Sequence, residues 1–174
     1  MNIALDIGHA NGTGARGNGL EEHAVATAIV DHLFTALKDQ GHNVHVIDFP
    51  NMSNSEDLNA TIRAANSGGY DIGISIHCDC AAPGAHGAHV CYLSASGKRL
   101  AQCIAGPLAD LLPGRAETTV ERPHLAVLKQ TRPVWVLCEC GFISNASDAD
   151  VMKHHPESIA NAIAEGVDAY TLNQ

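Results

Sequence analysis

The strongest constraint on the fold is an alternation, along the whole chain, of short apolar runs with longer segments of helical periodicity. The short runs have the length and the Val and Ile content of buried strands. The predicted strands cover residues 2–7, 43–48, 71–78, 87–93 and 134–140, and the predicted helices cover residues 19–40, 55–67, 96–112, 147–153 and 156–172. Such alternation predicts an α/β fold with a largely parallel sheet covered by helices on both faces.

Two stretches lack a regular pattern. A glycine-rich loop occupies residues 8–19, and an irregular stretch with a short apolar run at 125–128 occupies residues 115–132. No repeat or low-complexity linker divides the chain, and a length of 174 residues suits one core. We therefore predict a single domain over residues 1–174.

The composition argues against some partners. The formal net charge is −9 with histidines counted as neutral, whereas non-specific nucleic-acid binding requires a basic surface. No stretch approaches the roughly 18 apolar residues of a membrane helix. The first residues also lack the charged start and the long apolar run of a signal peptide. We expect no nucleic-acid or membrane partner, a monomer, and a chain that is cytoplasmic where it is made.

The six cysteines are expected to be free thiols, because nothing in the sequence indicates an oxidising compartment. Two C-x-C pairs, Cys78 with Cys80 and Cys138 with Cys140, offer four thiolates for a structural metal site. Structural zinc sites usually have a wider spacing on turns, whereas both pairs lie in strand-like runs. We therefore expect buried thiols rather than metal ligands.

Chemically reactive residues follow or end three of the predicted strands. His9 comes after the first strand, His77 lies near the end of the central strand, and Glu139 lies near the end of the last strand. The carboxyl ends of parallel strands meet at one edge of a sheet, where active sites form. Neutral imidazole and carboxylate are ligands of catalytic zinc sites, which keep one position open for water.

A second carboxylate reaches the same region from the first long helix. Its apolar stripe, formed by Val25, Ala26, Ile29, Val30, Leu33 and Leu37, is centred close to the direction of Glu22. A carboxylate on a core-facing stripe needs a compensating partner, and a metal ion is one such partner. The neighbouring Glu21 points elsewhere, and Asn18-x-x-Glu21 resembles a capping box. We expect Glu21 to cap the helix and Glu22 to reach the site.

Strand alternation separates the thiols from the site. Side chains alternate between the two faces of a sheet, so Glu139 faces away from Cys138 and Cys140. By the same rule His77 shares a face with Ser75, while Cys78 lies on the other face. A carboxylate within the apolar run 134–140 suggests catalysis rather than structure.

Five short motifs, in this order, resemble a known family. They are LDIGH at 5–9, GLEEH at 19–23, RAAN at 63–66, SIH at 75–77 and ECGFISN at 139–145. Together they resemble the zinc-dependent N-acetylmuramoyl-L-alanine amidases of the AmiC-like type, including phage endolysin catalytic domains. Ile7, Ala10 and Cys80 depart from the usual family pattern, but none of them is a proposed ligand.

The resemblance implies a twisted sheet of six strands and assigns a role to each site residue. It places zinc on His9, Glu22 and His77, and makes Glu139 the catalytic acid. The implied substrate is the peptidoglycan amide between the lactyl group of N-acetylmuramic acid and L-alanine. The implied chain is a catalytic domain without a separate wall-binding domain, which acts on the cell wall after release or within a larger or phage-encoded protein.

Three other functions are compatible with parts of the sequence. Another zinc peptidase or deacetylase would use similar ligands on a different bond. A nucleotide-binding domain would explain a glycine-rich loop after the first strand, but residues 8–19 lack both the P-loop and the G-x-G-x-x-G patterns. A non-catalytic wall-binding module would be expected to lose Glu139 or a ligand, and all four residues are present.

Overall fold

Six strands form the central sheet, and two short strands form a hairpin inside the loop that follows the first strand. The computed structural model describes residues 1–173. The strands are β1 (Asn2–Ile7), β2 (Arg16–Gly17), β3 (Leu20–Glu21), β4 (Asn43–Ile47), β5 (Ile72–Asp79), β6 (His89–Tyr92), β7 (Thr119–Glu121) and β8 (Val134–Phe142). The helices are α1 (Glu22–Asp39), α2 (Asn54–Ser67), α3 (Ala95–Leu111), α4 (Ala126–Gln130), α5 (Ala146–His154) and α6 (Pro156–Leu172).

The sheet has the strand order β4-β1-β5-β8-β6-β7. Strands β4, β1, β5 and β8 run parallel, β6 pairs antiparallel with β8, and β7 pairs parallel with β6. The predicted α/β fold, with a largely parallel sheet of six strands and helices on both faces, is therefore confirmed. The carboxyl ends of β1, β5 and β8 lie side by side at one edge of the sheet.

The two faces of the sheet carry different packing. Helices α1, α3 and α6 cover one face, where Ile3, Leu5, Ile74 and Val136 join a large apolar cluster. Helices α2 and α4 cover the other face over a smaller cluster that includes Trp135. Alternation along each strand assigns successive residues to these two clusters.

Helix α1 begins at Glu22, three residues later than the sequence predicts, because residues 16–17 and 20–21 pair as a hairpin. The predicted capping box is wrong. Glu21 occupies the N-cap position without a side-chain cap bond, and its carboxylate instead accepts a hydrogen bond from the Gly12 N–H and pairs with Arg16 at 3.4 Å. Asn18 donates to the carbonyl of Ile143 at 2.9 Å and so ties the hairpin to the end of β8.

Helix α2 is capped by Ser53, which forms a reciprocal capping box with Glu56. At its other end Asn66 donates to the carbonyl of Gln130 at 2.8 Å and accepts from the Arg132 N–H at 2.7 Å. This contact fixes α4 against α2. The sequence predicts an irregular stretch over residues 115–132. The structure instead has β7 and α4 within it.

The thiols are mostly buried, as predicted. Cys78, Cys138 and Cys140 belong to the cluster under α1, α3 and α6, on the face opposite Glu139. The prediction is wrong for Cys80, which lies just beyond β5 and is exposed. Within residues 1–173 no helix combines the length and apolarity needed to cross a membrane.

Candidate metal centre

Three donor side chains meet where β1 and β5 end and α1 begins. His9, Glu22 and His77 each offer one ligand atom, and these atoms lie within 4.8 Å of one another. The Nε2 atom of His9 lies 3.4 Å from Oε2 of Glu22, and the Nδ1 atom of His77 lies 3.1 Å from Oε1. The carboxylate therefore lies between the two imidazoles.

Glu22 is almost fully buried, with 2% of its surface exposed, and hydrogen bonds hold its carboxylate in place. Its Oε2 accepts a hydrogen bond from the Ala15 N–H at 2.7 Å, and its Oε1 accepts one from the Cys78 N–H at 3.0 Å. Burial by itself opposes ionisation. The hydrogen bond and charge of His77, together with the two backbone donors, outweigh it and lower the pKa of Glu22 below its ordinary value. The carboxylate is thus ionised and fixed in place.

His9 is oriented by the first residue of α2. Its Nδ1 lies 2.8 Å from Oδ1 of Asn54, at the start of α2. An amide oxygen accepts hydrogen bonds, so this contact favours the tautomer with the proton on Nδ1, in which Nε2 is free to act as a ligand atom towards Glu22. His9 also has a φ of 62°, in the left-handed region, which turns the chain sharply after Gly8.

His77 lies in a strongly negative environment. Burial opposes its positive form. The hydrogen bond that the His77 ring donates to Glu22, with the charges of Glu139, Glu22 and Asp6, outweighs burial and raises the pKa of His77 to about 9. Without a metal ion, the proton on His77 supplies the positive charge that these carboxylates favour. The same electrostatics favour a bound cation.

Two glycines of the loop allow this close approach. A Cβ atom on Gly8 would lie 2.5 Å from Cε1 of His77, and one on Gly14 would lie 2.8 Å from Oε2 of Glu22. Neither distance is possible without displacing a donor. The glycines that suggested a nucleotide-binding loop are therefore explained by packing around the donor cluster.

Two of the donor spacings are close to those around a zinc ion, while the whole donor set lies within 4.8 Å. Ligand atoms 2.0–2.1 Å from a tetrahedral zinc ion are separated by about 3.3–3.4 Å. The two contacts to Glu22 measure 3.1 and 3.4 Å. Two imidazoles with one carboxylate also form a known catalytic zinc set, which leaves one position open. The residues present therefore fit a zinc ion.

Glu139 lies next to this cluster on β8. Its Cα pairs in register with His77 of β5 on one side and with His89 of β6 on the other. Its Oε2 is buried and has no hydrogen-bond partner among the described residues. Burial is the main reason that the pKa of Glu139 is raised to about 7, with Asp79 and Glu22 adding to the shift and His77 opposing it.

The neighbouring His89 stays neutral. It is buried, and burial together with the charge of Arg115 lowers the pKa of His89 to about 4. Because its imidazole is neutral, His89 adds no positive charge that would favour ionisation of the Glu139 carboxyl. No sequence motif singled out His89. Its position beside Glu139 follows from strand alternation only once the register of β6 is known.

A buried carboxylate also fixes the turn that follows Glu139. Oδ2 of Asp148 accepts hydrogen bonds from the Phe142 and Gly87 N–H groups, both at 2.8 Å. It thereby ties the end of β8 to the approach to β6. Asn145 caps α5 by accepting hydrogen bonds from the Ser147 and Asp148 N–H groups. This cap accounts for the asparagine at the end of the 139–145 motif.

The structure thus brings together His9, Glu22 and His77, and places Glu139 beside His77. Their chemical roles remain predictions. The cysteines lie outside the donor cluster found among residues 1–173.

Comparisons with known proteins identify the family. The Amidase_3 pattern, described as N-acetylmuramoyl-L-alanine amidase, matches residues 3–169. The chain is 33% identical to the N-acetylmuramoyl-L-alanine amidase LytC of Bacillus subtilis, over 97% of this chain but 35% of LytC, so it spans about a third of that relative. It is 31% identical to the uncharacterized protein YqiI of the same organism, over 97% of this chain and 84% of YqiI. The solved catalytic domain of the CD27L endolysin targeting Clostridia difficile has a TM-score of 0.90 at 29% identity, with 97% of each chain covered. The chain therefore belongs to the N-acetylmuramoyl-L-alanine amidase family.

Proposed function

We propose that this chain is a zinc-dependent amidase of peptidoglycan. It hydrolyses the amide between the lactyl group of N-acetylmuramic acid and L-alanine, releasing a lactyl carboxylate and a free L-alanine amine. The observation that carries the proposal is the triangle of His9, Glu22 and His77 with a buried carboxyl in register beside it, in a chain of this family.

In this proposal His9, Glu22 and His77 hold the metal ion. When bound there, zinc supplies Lewis-acid chemistry, because it lowers the pKa of water and polarises a carbonyl. The chain fixes the donors beforehand. Asn54 sets the tautomer of His9, and the N–H groups of Ala15 and Cys78 hold the Glu22 carboxylate. Such supporting contacts commonly determine ligand orientation and affinity.

Glu139 acts as the general base and then as the general acid. It accepts a proton from the attacking water and returns it to the nitrogen of the leaving L-alanine as the carbon–nitrogen bond breaks. A carboxyl with a pKa of about 7 suits both directions of proton transfer at neutral pH. Its Oε2 has no hydrogen-bond partner among the described residues that would compete for the proton.

Digestion of purified cell walls tests the function. We expect the zinc-loaded chain to release free L-alanine amino termini without new reducing sugar ends, since the bond cut is an amide. Glu139→Gln keeps the size of the side chain and removes its basicity. This variant should retain zinc and lose turnover by about 10²–10⁴-fold.

New reducing ends would contradict the proposal, because they indicate cleavage of a glycosidic bond. Full turnover by Glu139→Gln would leave the metal site in place and refute the role of Glu139. We also propose that residues 1–174 act as one catalytic domain and that the chain acts as a monomer.

A further inference from the structure

A cavity of about 150 Å³ opens beside the metal centre, and His9 and His77 form part of its lining. It lies between α2, α4 and the ends of the neighbouring strands. One water needs roughly 10–15 Å³ by the same kind of measure, so the space accommodates a chemical group of several atoms. A group bound there would lie next to the bond being cut.

Part of the cavity lining is apolar. It includes Leu58 of α2, Leu125 and Val127 at the start of α4, and Leu137 of β8. The α4 residues are held there by the contact between Asn66 and the end of α4, which keeps α4 beside α2. Such a surface favours a methyl group or another short apolar group.

The lining also includes two carboxyl groups, which differ in their hydrogen bonding. Asp6 accepts hydrogen bonds from Thr61 at 3.1 Å and from Ser75 at 2.5 Å, so both of its oxygens have partners. Asp57 is 6% exposed, lines the cavity, and has an Oδ1 that is buried without a partner among the described residues. A buried acceptor without a donor is costly, and native proteins rarely keep one without a reason.

The position of Asp57 in the first turn of α2 does not explain it. Glu56 and Ser53 already form the capping box there. A helix N-terminus favours a negative charge, but burial and the nearby Asp6 raise the pKa of Asp57 to about 6. Burial and the nearby negative charge thus oppose ionisation of Asp57, and groups perturbed in this way are enriched at functional sites.

We propose that this cavity binds a secondary amide of the substrate, with the amide N–H donating to Asp57 and the adjoining methyl group packed on the apolar part of the lining. The assignment rests on the proposed function. The substrate carries this chemistry twice near the scissile bond. One copy is the acetamido group of the sugar, and the other is the peptide amide that follows L-alanine.

Kinetics on matched substrates test the assignment. The parent is N-acetylmuramoyl-L-alanyl-D-isoglutamine, and two analogues replace one N–H each by an ester oxygen, in the acetamido group or in the peptide link. We expect Asp57→Ala to lower kcat/KM on the parent about ten- to a hundredfold, the range for a hydrogen bond to a charged group. Asp57→Asn, which keeps an acceptor oxygen, should recover part of this loss.

The analogues identify the source of the amide. The unchanged chain should lose a similar factor on the ester that removes the bound N–H, and Asp57→Ala should lose nothing further on that ester. The other ester should behave like the parent. Asp150→Ala serves as the control, because it removes an exposed carboxylate on α5 and should leave every rate unchanged.

Equal losses by Asp57→Ala on all three substrates, together with a fall in Tm, would overturn the assignment, because they indicate a structural role. Unchanged rates would overturn it as well. Binding of N-acetylmuramic acid and of L-alanyl-D-isoglutamine, measured by calorimetry, separates this assignment from the proposed function. If the unchanged chain cleaves none of the substrates, the proposed function fails. The cavity assignment then survives only if one fragment binds and Asp57→Ala weakens that binding.

Discussion

The adjacent residues Glu21 and Glu22 provide a test with a matched control, because they are chemically identical and the structure gives them different surroundings. Glu22→Ala removes the acceptor of two backbone N–H groups. The Cys78 N–H is buried, and leaving it unsatisfied costs about 1–3 kcal/mol. The bond from Ala15 is only partly buried and is worth about 0.5–1.5 kcal/mol. The two backbone bonds alone should lower the free energy of unfolding of the zinc-free chain by about 1.5–4.5 kcal/mol, and loss of the 3.1 Å contact with His77 should add to this decrease.

Glu21→Ala should cost less. Its hydrogen bond from Gly12 is exposed, and we expect it to contribute about 0.5–1.5 kcal/mol. Its ion pair with Arg16 joins two partly exposed side chains and adds at most about 1 kcal/mol. Urea unfolding of both zinc-free variants measures these differences.

Zinc content separates the structural role of Glu22 from its role as a ligand. Glu22→Gln keeps one acceptor oxygen, so its stability should lie between those of the unchanged chain and Glu22→Ala. It removes the charge, so it should still lose most bound zinc, whereas Glu21→Ala should retain about one zinc per chain. Stoichiometric zinc in Glu22→Gln, or a larger stability loss in Glu21→Ala than in Glu22→Ala, would refute the reasoning.

Three further predictions concern the metal, the thiols and pH. His77→Ala should abolish most zinc binding, measured by metal analysis, and stoichiometric zinc in this variant would refute the ligand assignment. Changing Cys138 and Cys140 to Ala should leave the zinc content unchanged, because both thiols lie on the opposite face of the sheet; a fall to near zero would favour a thiolate site. The pKa of Asp57 is raised from 3.8 to about 6, so the folded chain binds more protons than the unfolded chain in this interval. Stability should therefore decrease as the pH rises from about 4 to about 6, and Asp57→Asn should flatten that part of the pH profile, measured by urea unfolding.

Features that depend on local periodicity were predictable from the sequence. The apolar stripe of α1 places Glu22 towards the core, and alternation along β8 separates Glu139 from the thiols. Both follow from fixed geometric periods of the backbone. The capping box of α2 is likewise a short-range pattern.

Features that depend on distant partners were not predictable. The β2–β3 hairpin and α4 are too short to have a periodic signal, and they exist because other elements hold them. Asn66 of α2 fixes α4, and Asn18 in the hairpin turn binds the end of β8. The contact of Asn54 with His9 and the cavity beside Asp57 require α2 to lie against the ends of β1 and β5, which a single sequence does not specify.

The donor cluster draws its members from two layers of the molecule, since Glu22 belongs to a helix and His77 to the sheet. The separation of these donors is therefore a measure of how far α1 stands from the sheet. Side chains such as Ile29 and Leu33, which lie outside the donor cluster and are fully buried beneath the helix, help to set that distance. Close-packed interiors transmit changes of even one methylene group. We therefore expect the volume of the core under α1 to influence the spacing of the donors, so that conservative apolar substitutions there should change the affinity of the proposed metal site from a distance.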